Sequence, residues 1–90
     1  MVDGLDLRWS VYLVECLDGT LYCGISTDVE RRVRQHDVGR GARYTRGRGP
    51  VMLVASLGGM GRGRALAVEA AVKDLPRDRK VEYLAGLGGR

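Results

Sequence analysis

No apolar run in this chain approaches the roughly 20 residues that a membrane-spanning helix needs, so no membrane segment is expected. Cysteine is scarce. Cys16 and Cys23 are the only two, they lack the two-residue spacing of a metal or redox motif, and His36 is the sole histidine. A zinc site would want a fourth ligand. Two buried free thiols in a reducing compartment are the simpler reading. The segment Met1–Arg8 carries two Asp and no apolar core, which does not read as a secretory leader and points to the cytoplasm. Internal repeats and linker-like stretches are also missing. Ninety residues amount to one domain, spanning 1–90 with its core at about 9–84.

Lysine is scarce too: only Lys73 and Lys80 among 15 basic residues. The net charge is +4, and its distribution is uneven. Between Arg31 and Arg64 stand nine arginines against one acid, Asp37, which is +8 in about a third of the chain and leaves −4 for the rest. Arginine offers a planar fork of donors suited to phosphate. Such a cluster fits a polyanionic partner, nucleic acid first, against the plainer alternative of a solvated arginine-rich surface.

The periodicity predicts an order β-β-α-β-α-α in one α+β domain. Residues 9–16 and 21–25 are rich in β-branched and aromatic side chains and read as strands. Leu17-Asp18-Gly19 between them reads as a three-residue hairpin loop with Gly19 left-handed. That loop pairs Cys16 with Thr20, Val14 with Tyr22 and Tyr12 with Gly24, so Tyr12 and Tyr22 share a face. A two-residue Asp-Gly turn would set them on opposite faces. Thr27-x-x-Glu30 is a capping-box pattern opening a helix to about Val38, stopped by Gly39. Val29, Arg32, Val33 and His36 line its inner face, with Arg32 and His36 at the rim. Residues 39–50 form a Gly/Arg loop, long enough to be functional. Val51–Leu57 reads as a third strand with helices on both sides, 58–63 as a flexible turn, Arg64 to Leu75 as a helix, and Arg77–Leu84 as a short last helix.

Within that frame a few residues can do chemistry. Tyr12 and Tyr22 are either rim tyrosines of an ordinary core or a pair of phenols beside a site. Gly24, costly within a strand, marks a close approach of a ligand or of another backbone. Arg32 and His36, one turn apart, suit a phosphate oxygen. Glu69 is the only acid between residues 38 and 73. It pairs with Lys73 at i,i+4, or it is a lone carboxylate holding Mg²⁺ or Mn²⁺ together with waters and phosphate.

Those residues carry a resemblance. Val11-Tyr12-Leu13, Leu21-Tyr22-Cys23-Gly24, Arg32 and His36 are similar in kind and spacing to the GIY-YIG nuclease signature. Gly39-x-Gly-Ala-x-Tyr44-Thr45-Arg46 with Pro50 resembles the small, single-domain, YhbQ-like bacterial branch, and also the nuclease module of Slx-type endonucleases. Ala65-Leu66 and Glu69 match the segment that supplies the family's metal-binding glutamate. The likeness runs from about Ser10 to about Lys80. It departs at Asp37, where the bacterial branch commonly has Asn, and the chain has no Asn anywhere. It also shows none of the accessory domains of larger relatives.

The resemblance implies a three-stranded antiparallel sheet flanked by helices. It implies an endonuclease that hydrolyses DNA phosphodiesters with one divalent metal, Mg²⁺ or Mn²⁺, with low sequence specificity, in repair or recombination. Tyr12, Tyr22, Arg32, His36 and Glu69 are then the catalytic set, with Glu69 on the metal. Gly24, Arg31, Arg34, Arg40, Arg43, Tyr44, Thr45, Arg46 and Arg48 contact nucleic acid. A free tyrosine titrates near pH 10 and needs help as a base. Which tyrosine acts stays open, as do RNA as a substrate and a protein partner that supplies specificity. The alternative function is a non-cleaving nucleic-acid-binding module or accessory subunit on the same scaffold.

Overall fold

The computed structural model describes residues 6–39 and 50–88. The elements are strand β1 (Trp9–Glu15), strand β2 (Leu21–Ser26), helix α1 (Val29–Asp37), strand β3 (Met52–Met60), helix α2 (Arg62–Lys73) and helix α3 (Arg77–Gly88). The strands form one antiparallel sheet in the order β2-β1-β3, with β1 central. This is the expected α+β architecture.

The hairpin turn fixes the register. Gly19 sits at φ 86°, a conformation cheap only for glycine. Its N–H donates to the Cys16 carbonyl at 2.9 Å, and Cys16 N–H donates to the Thr20 carbonyl at 2.8 Å. Asp18 Oδ1 accepts from the Thr20 N–H at 3.1 Å and its hydroxyl at 2.7 Å. Tyr12 therefore pairs with Gly24 and Val14 with Tyr22, as the three-residue loop requires. Arg77, at the start of α3, ties the turn to the helical layer. It donates to the Gly19 carbonyl from Nε at 2.8 Å and Nη2 at 2.6 Å, and Nη2 reaches Glu15 Oε2 at 3.2 Å.

Successive residues of a strand point to opposite faces. Val11 and Leu13 of β1 join Cys23, Met60, Ala65, Val68, Val72 and Leu84 in the core under α2 and α3. Tyr12 and Val14 take the other face and are just as buried. Helix α1 lies against β1 and β2 on that second face, α2 against the same two strands from the core side, and α3 against β3. Cys16 and Cys23 are buried free thiols.

Several local expectations are corrected. The N-cap of α1 is Asp28, not Thr27: its carboxylate accepts from the Arg31 N–H at 3.1 Å, while its own N–H donates to Ser26 Oγ at 2.9 Å. A carboxylate is the stronger acceptor at the positive end of a helix. Strand β3 runs on to Met60, so Gly58 and Gly59 are strand residues rather than a turn, and Trp9 pairs with Met60. Gly59 at φ 79° and the register shift between Trp9 and Val11 absorb the irregularity there. Helices do not cover both faces of β3. Leu53, paired with Val14 on the α1 face, is 41% exposed because α1 packs on β1 and β2, and Met52, on the opposite face at the start of the strand, is 66% exposed. Helix α2 starts at Arg62 and ends at Lys73, where the Lys80 ammonium donates to the carbonyls of Val72 at 2.8 Å and Lys73 at 3.2 Å. Helix α3 continues past Gly86 to Gly88. Packing on β3 outweighs the roughly 1 kcal/mol that an interior glycine costs a helix.

Candidate active site

The site grows from the hairpin register and from the inner face of α1. With Tyr12 and Tyr22 on the same sheet face, α1 lays His36 over both. The His36 ring lies 5.8 Å from the Tyr12 ring and 5.2 Å from the Tyr22 ring, centroid to centroid. Tyr12 Oη and His36 Nε2 share a hydrogen bond of 2.8 Å. His36 is fully buried and Tyr12 is 1% exposed, so the expected rim position of His36 is corrected: the imidazole is part of the interior, held there by the phenol. Tyr22 is half-buried.

The electrostatics follow from that burial. Desolvation pushes the Tyr12 phenol up to about 12, against the opposing pull of the Arg32 guanidinium beside it. Desolvation, and then the charge of Arg32, push the His36 imidazole below its usual 6.5. Both groups are neutral at neutral pH.

Gly24 has a specific cause. A Cβ there would lie 2.5 Å from Tyr12 Oη and 2.7 Å from its Cζ. The close approach that the glycine permits is that of the Tyr12 ring, and Gly24 is buried beneath it.

Arg32 is half-buried, and its Nη1 donates to Gln35 Oε1 at 2.9 Å. Gln35, which the sequence reading did not single out, orients this guanidinium. Its i,i+3 spacing from Arg32 is the signal that could have found it. Ser26, Thr27, Asp28, Arg31, Arg32 and Gln35 line a pocket of about 190 Å³ where β2 passes into α1. Arg31 and Arg34 are exposed on the same helix. A larger pocket of about 310 Å³, between Glu15, Leu17 and Met52, lies at the other end of the sheet and holds none of the candidate residues. Asp37 serves structure: its Oδ1 accepts from the Val51 N–H at 2.7 Å, a task that an asparagine carbonyl performs equally. Arg40, Arg43, Tyr44, Thr45, Arg46 and Arg48 lie outside the described residues.

Glu69 belongs to another element. It stands on α2, which packs on the core face, and its Oε2 lies 3.4 Å from Lys73 Nζ. Its charge is felt by the Cys23 thiol, which burial pushes up to about 11 with Glu69 adding to the rise. Cys23 points away from the tyrosines. Even so, α2 and α1 flank the same β1–β2 half of the sheet, and β2 is its edge. The helix that carries Glu69 therefore lies on one face of those strands, and the helix that carries Arg32 on the other. Among the described residues no group of three or more His, Cys, Asp or Glu could hold a metal.

Two tyrosines, a histidine and an arginine thus meet at one hairpin–helix corner. The chain belongs to the GIY-YIG family: the model of the GIY-YIG catalytic domain, a nuclease-type domain, matches residues 8–82. Within that family it is similar to small proteins designated UPF0213. It is 53% identical over 84 residues to the UPF0213 protein of Nitratidesulfovibrio vulgaris, covering 93% of this chain and 76% of that one. The solution structure of the UPF0213 protein BH0048 from Bacillus halodurans matches at 44% identity and a TM-score of 0.54, covering 90% of this chain and 86% of that one. The solution structure of protein EF2693 from E. faecalis matches with the same coverage at 36% identity and a TM-score of 0.60. No helix among the described residues is long and apolar enough to cross a membrane.

Proposed function

We propose that this chain is a divalent-metal-dependent endonuclease. It hydrolyses DNA phosphodiester bonds, directed by the shape or ends of the substrate and little by sequence, in repair or recombination in the cytoplasm. The carrying observation is the buried Tyr12–His36 hydrogen bond of 2.8 Å, which sets two phenols beside an arginine at the mouth of α1.

In this reading Arg32, steadied by Gln35, neutralises charge that grows on the phosphoryl oxygens. Tyr12, a neutral phenol raised to about 12 by burial, holds the imidazole and the Tyr22 ring in place. Tyr22 is the more exposed phenol. Its hydroxyl oxygen accepts a hydrogen bond from the attacking water and orients that water toward the phosphorus. Arg31 and Arg34, with the arginines of the 39–50 segment, hold the phosphate backbone and read no bases. Glu69 would hold Mg²⁺ or Mn²⁺. A hard carboxylate oxygen suits these ions, which keep several waters, and a half-exposed Lys73 at 3.4 Å is a loose partner that can yield. When bound, the ion supplies Lewis-acid charge to the scissile phosphate.

The Glu69–Lys73 pair, on the far face of the sheet from the tyrosines, favours a second reading, a binding module that does not cut. Glu69→Gln separates the two. If the reading holds, wild type cleaves branched, single-stranded or duplex DNA with Mn²⁺, and the variant binds the same DNA at least as tightly without cutting it. A variant that cuts at the wild-type rate rejects the metal role. Wild type that binds and never cuts with any divalent metal establishes the second reading.

A further inference from the structure

The two strands that lead into helices run parallel to each other on either side of β1, because each is antiparallel to it. Strand β2 ends at Ser26 and β3 at Met60, so α1 and α2 begin at the same end of the sheet. Arg31 and Arg32 leave that end on one face, and Arg62 and Arg64 on the other. Two strand spacings, about 10 Å, separate the ends of β2 and β3, about three times the 3.4 Å axial rise between successive phosphates of one strand in a duplex.

Arg62 and Arg64 are exposed and no acid stands in the first turn of α2. Arg62 is held in place by Trp9, with its guanidinium carbon 5.6 Å from the ring centroid. Of the described acids at this end, Asp6 is bonded to Arg8 and Asp28 to the α1 cap; Glu30 lies in the first turn of α1. Neither Arg62 nor Arg64 has an ion-pair partner at salt-bridge distance among the described residues.

We infer that Arg62 and Arg64, backed by Trp9, form a second phosphate-contact surface that continues the α1 surface across the end of the sheet, so that one DNA strand is gripped on both sides of β1. This rests on the nucleic-acid reading above and adds residues which that reading does not use. Each phosphate contact contributes about 0.9 to the slope of log K against log salt. Losing both arginines therefore makes the slope about 1.8 shallower, and the affinity gap between wild type and variant narrows about tenfold from 50 to 200 mM salt.

The experiment measures binding of a duplex without metal, as a function of salt, for wild type, Arg62→Ala/Arg64→Ala, Arg64→Ala alone and Arg79→Ala. Arg79 on α3 is the control, since it removes the same single charge away from this end. Arg64→Ala leaves the Arg62–Trp9 contact intact, so it reports binding even if the double variant is poorly folded. The inference expects slopes shallower by about 1.8 and 0.9 for the double and single variants and an unchanged slope for Arg79→Ala. It also expects DNA to shift the emission of Trp9, the only tryptophan. An Arg64→Ala slope equal to that of wild type or of Arg79→Ala overturns the inference alone. Wild type with no salt-dependent DNA binding overturns it together with the function proposed above.

Discussion

Replacing Gly24 with alanine tests the architecture of the site at its tightest point. The added methyl would stand 2.5 Å from Tyr12 Oη, 2.7 Å from Cζ and 3.1 Å from Cε2. Carbon contacts settle at about 3.5–4.0 Å, so the ring must retreat by roughly 1 Å. A phenol at the end of a side chain could usually swing aside, but this one is 1% exposed and bonded to a fully buried His36. Overpacking costs about 1–3 kcal/mol. Breaking the Tyr12–His36 bond and stranding the imidazole costs about 1–3 kcal/mol more. Removing the unfolded-state freedom of glycine returns about 0.5–1 kcal/mol. The net loss is about 3 kcal/mol, or roughly 12–24 °C in melting temperature for a domain of this size. Urea denaturation and thermal melts of Gly24→Ala, Tyr12→Phe and the double variant read it directly. Deleting the hydroxyl removes the nearest contact, so Tyr12→Phe costs less in the alanine background, with a coupling of about 1 kcal/mol. A Gly24→Ala protein within about 0.5 kcal/mol of wild type, or strictly additive substitutions, would refute the reasoning.

Stability should vary with pH on both sides of neutrality. His36 sits below its ordinary 6.5, so its contribution is complete above that value and is lost as pH falls through the lowered folded value. Tyr12 is raised from 10.0 to about 12, so its contribution is complete below pH 10 and fades as pH climbs toward 12; Cys23, raised from 9.0 to about 11, adds to the same alkaline limb. Urea midpoints across pH should show His36→Gln flattening the acid limb and Tyr12→Phe reducing the alkaline one to what Cys23 supplies, and limbs unchanged by those substitutions would contradict the assignment. Arg32→Ala should weaken DNA binding and slow cleavage a few hundredfold, the usual worth of an oxyanion donor; a variant that loses binding but keeps its rate at saturating DNA would leave Arg32 a phosphate anchor only.

The hairpin was the most legible part of the fold. A three-residue loop with a left-handed Gly19 has only one pairing, and from it Tyr12 and Tyr22 fall on one face and Cys23 on the other. The inner face of α1 followed from helical spacing, though not the depth of His36, because burial depends on how closely a helix seats and the hydrogen bond to Tyr12 draws it in. Composition misled at Gly58 and Gly59. A glycine-rich stretch looks like a turn, yet pairing with β1 through a bulge keeps it in the sheet. The position of Glu69 was not legible at all. A pattern of apolar residues tells which side of α2 is buried, but not which face of the sheet α2 returns to after β3, and that choice sets the face on which the helix carrying the carboxylate lies.

The bond from the Val51 N–H to Asp37 Oδ1 has an evolutionary corollary. It clamps the exit of α1 to the entry of β3, close to where Gly39, at φ 79°, turns the chain out of the helix. Whatever lies between residues 39 and 50 is thus closed at its base by scaffold atoms. Closing a flexible segment costs only about 0.6 kcal/mol for each doubling of its length. The intervening stretch can therefore be lengthened, shortened or recharged almost without tax on the sheet, and a bracket of this kind lets one scaffold audition many surfaces for its substrate.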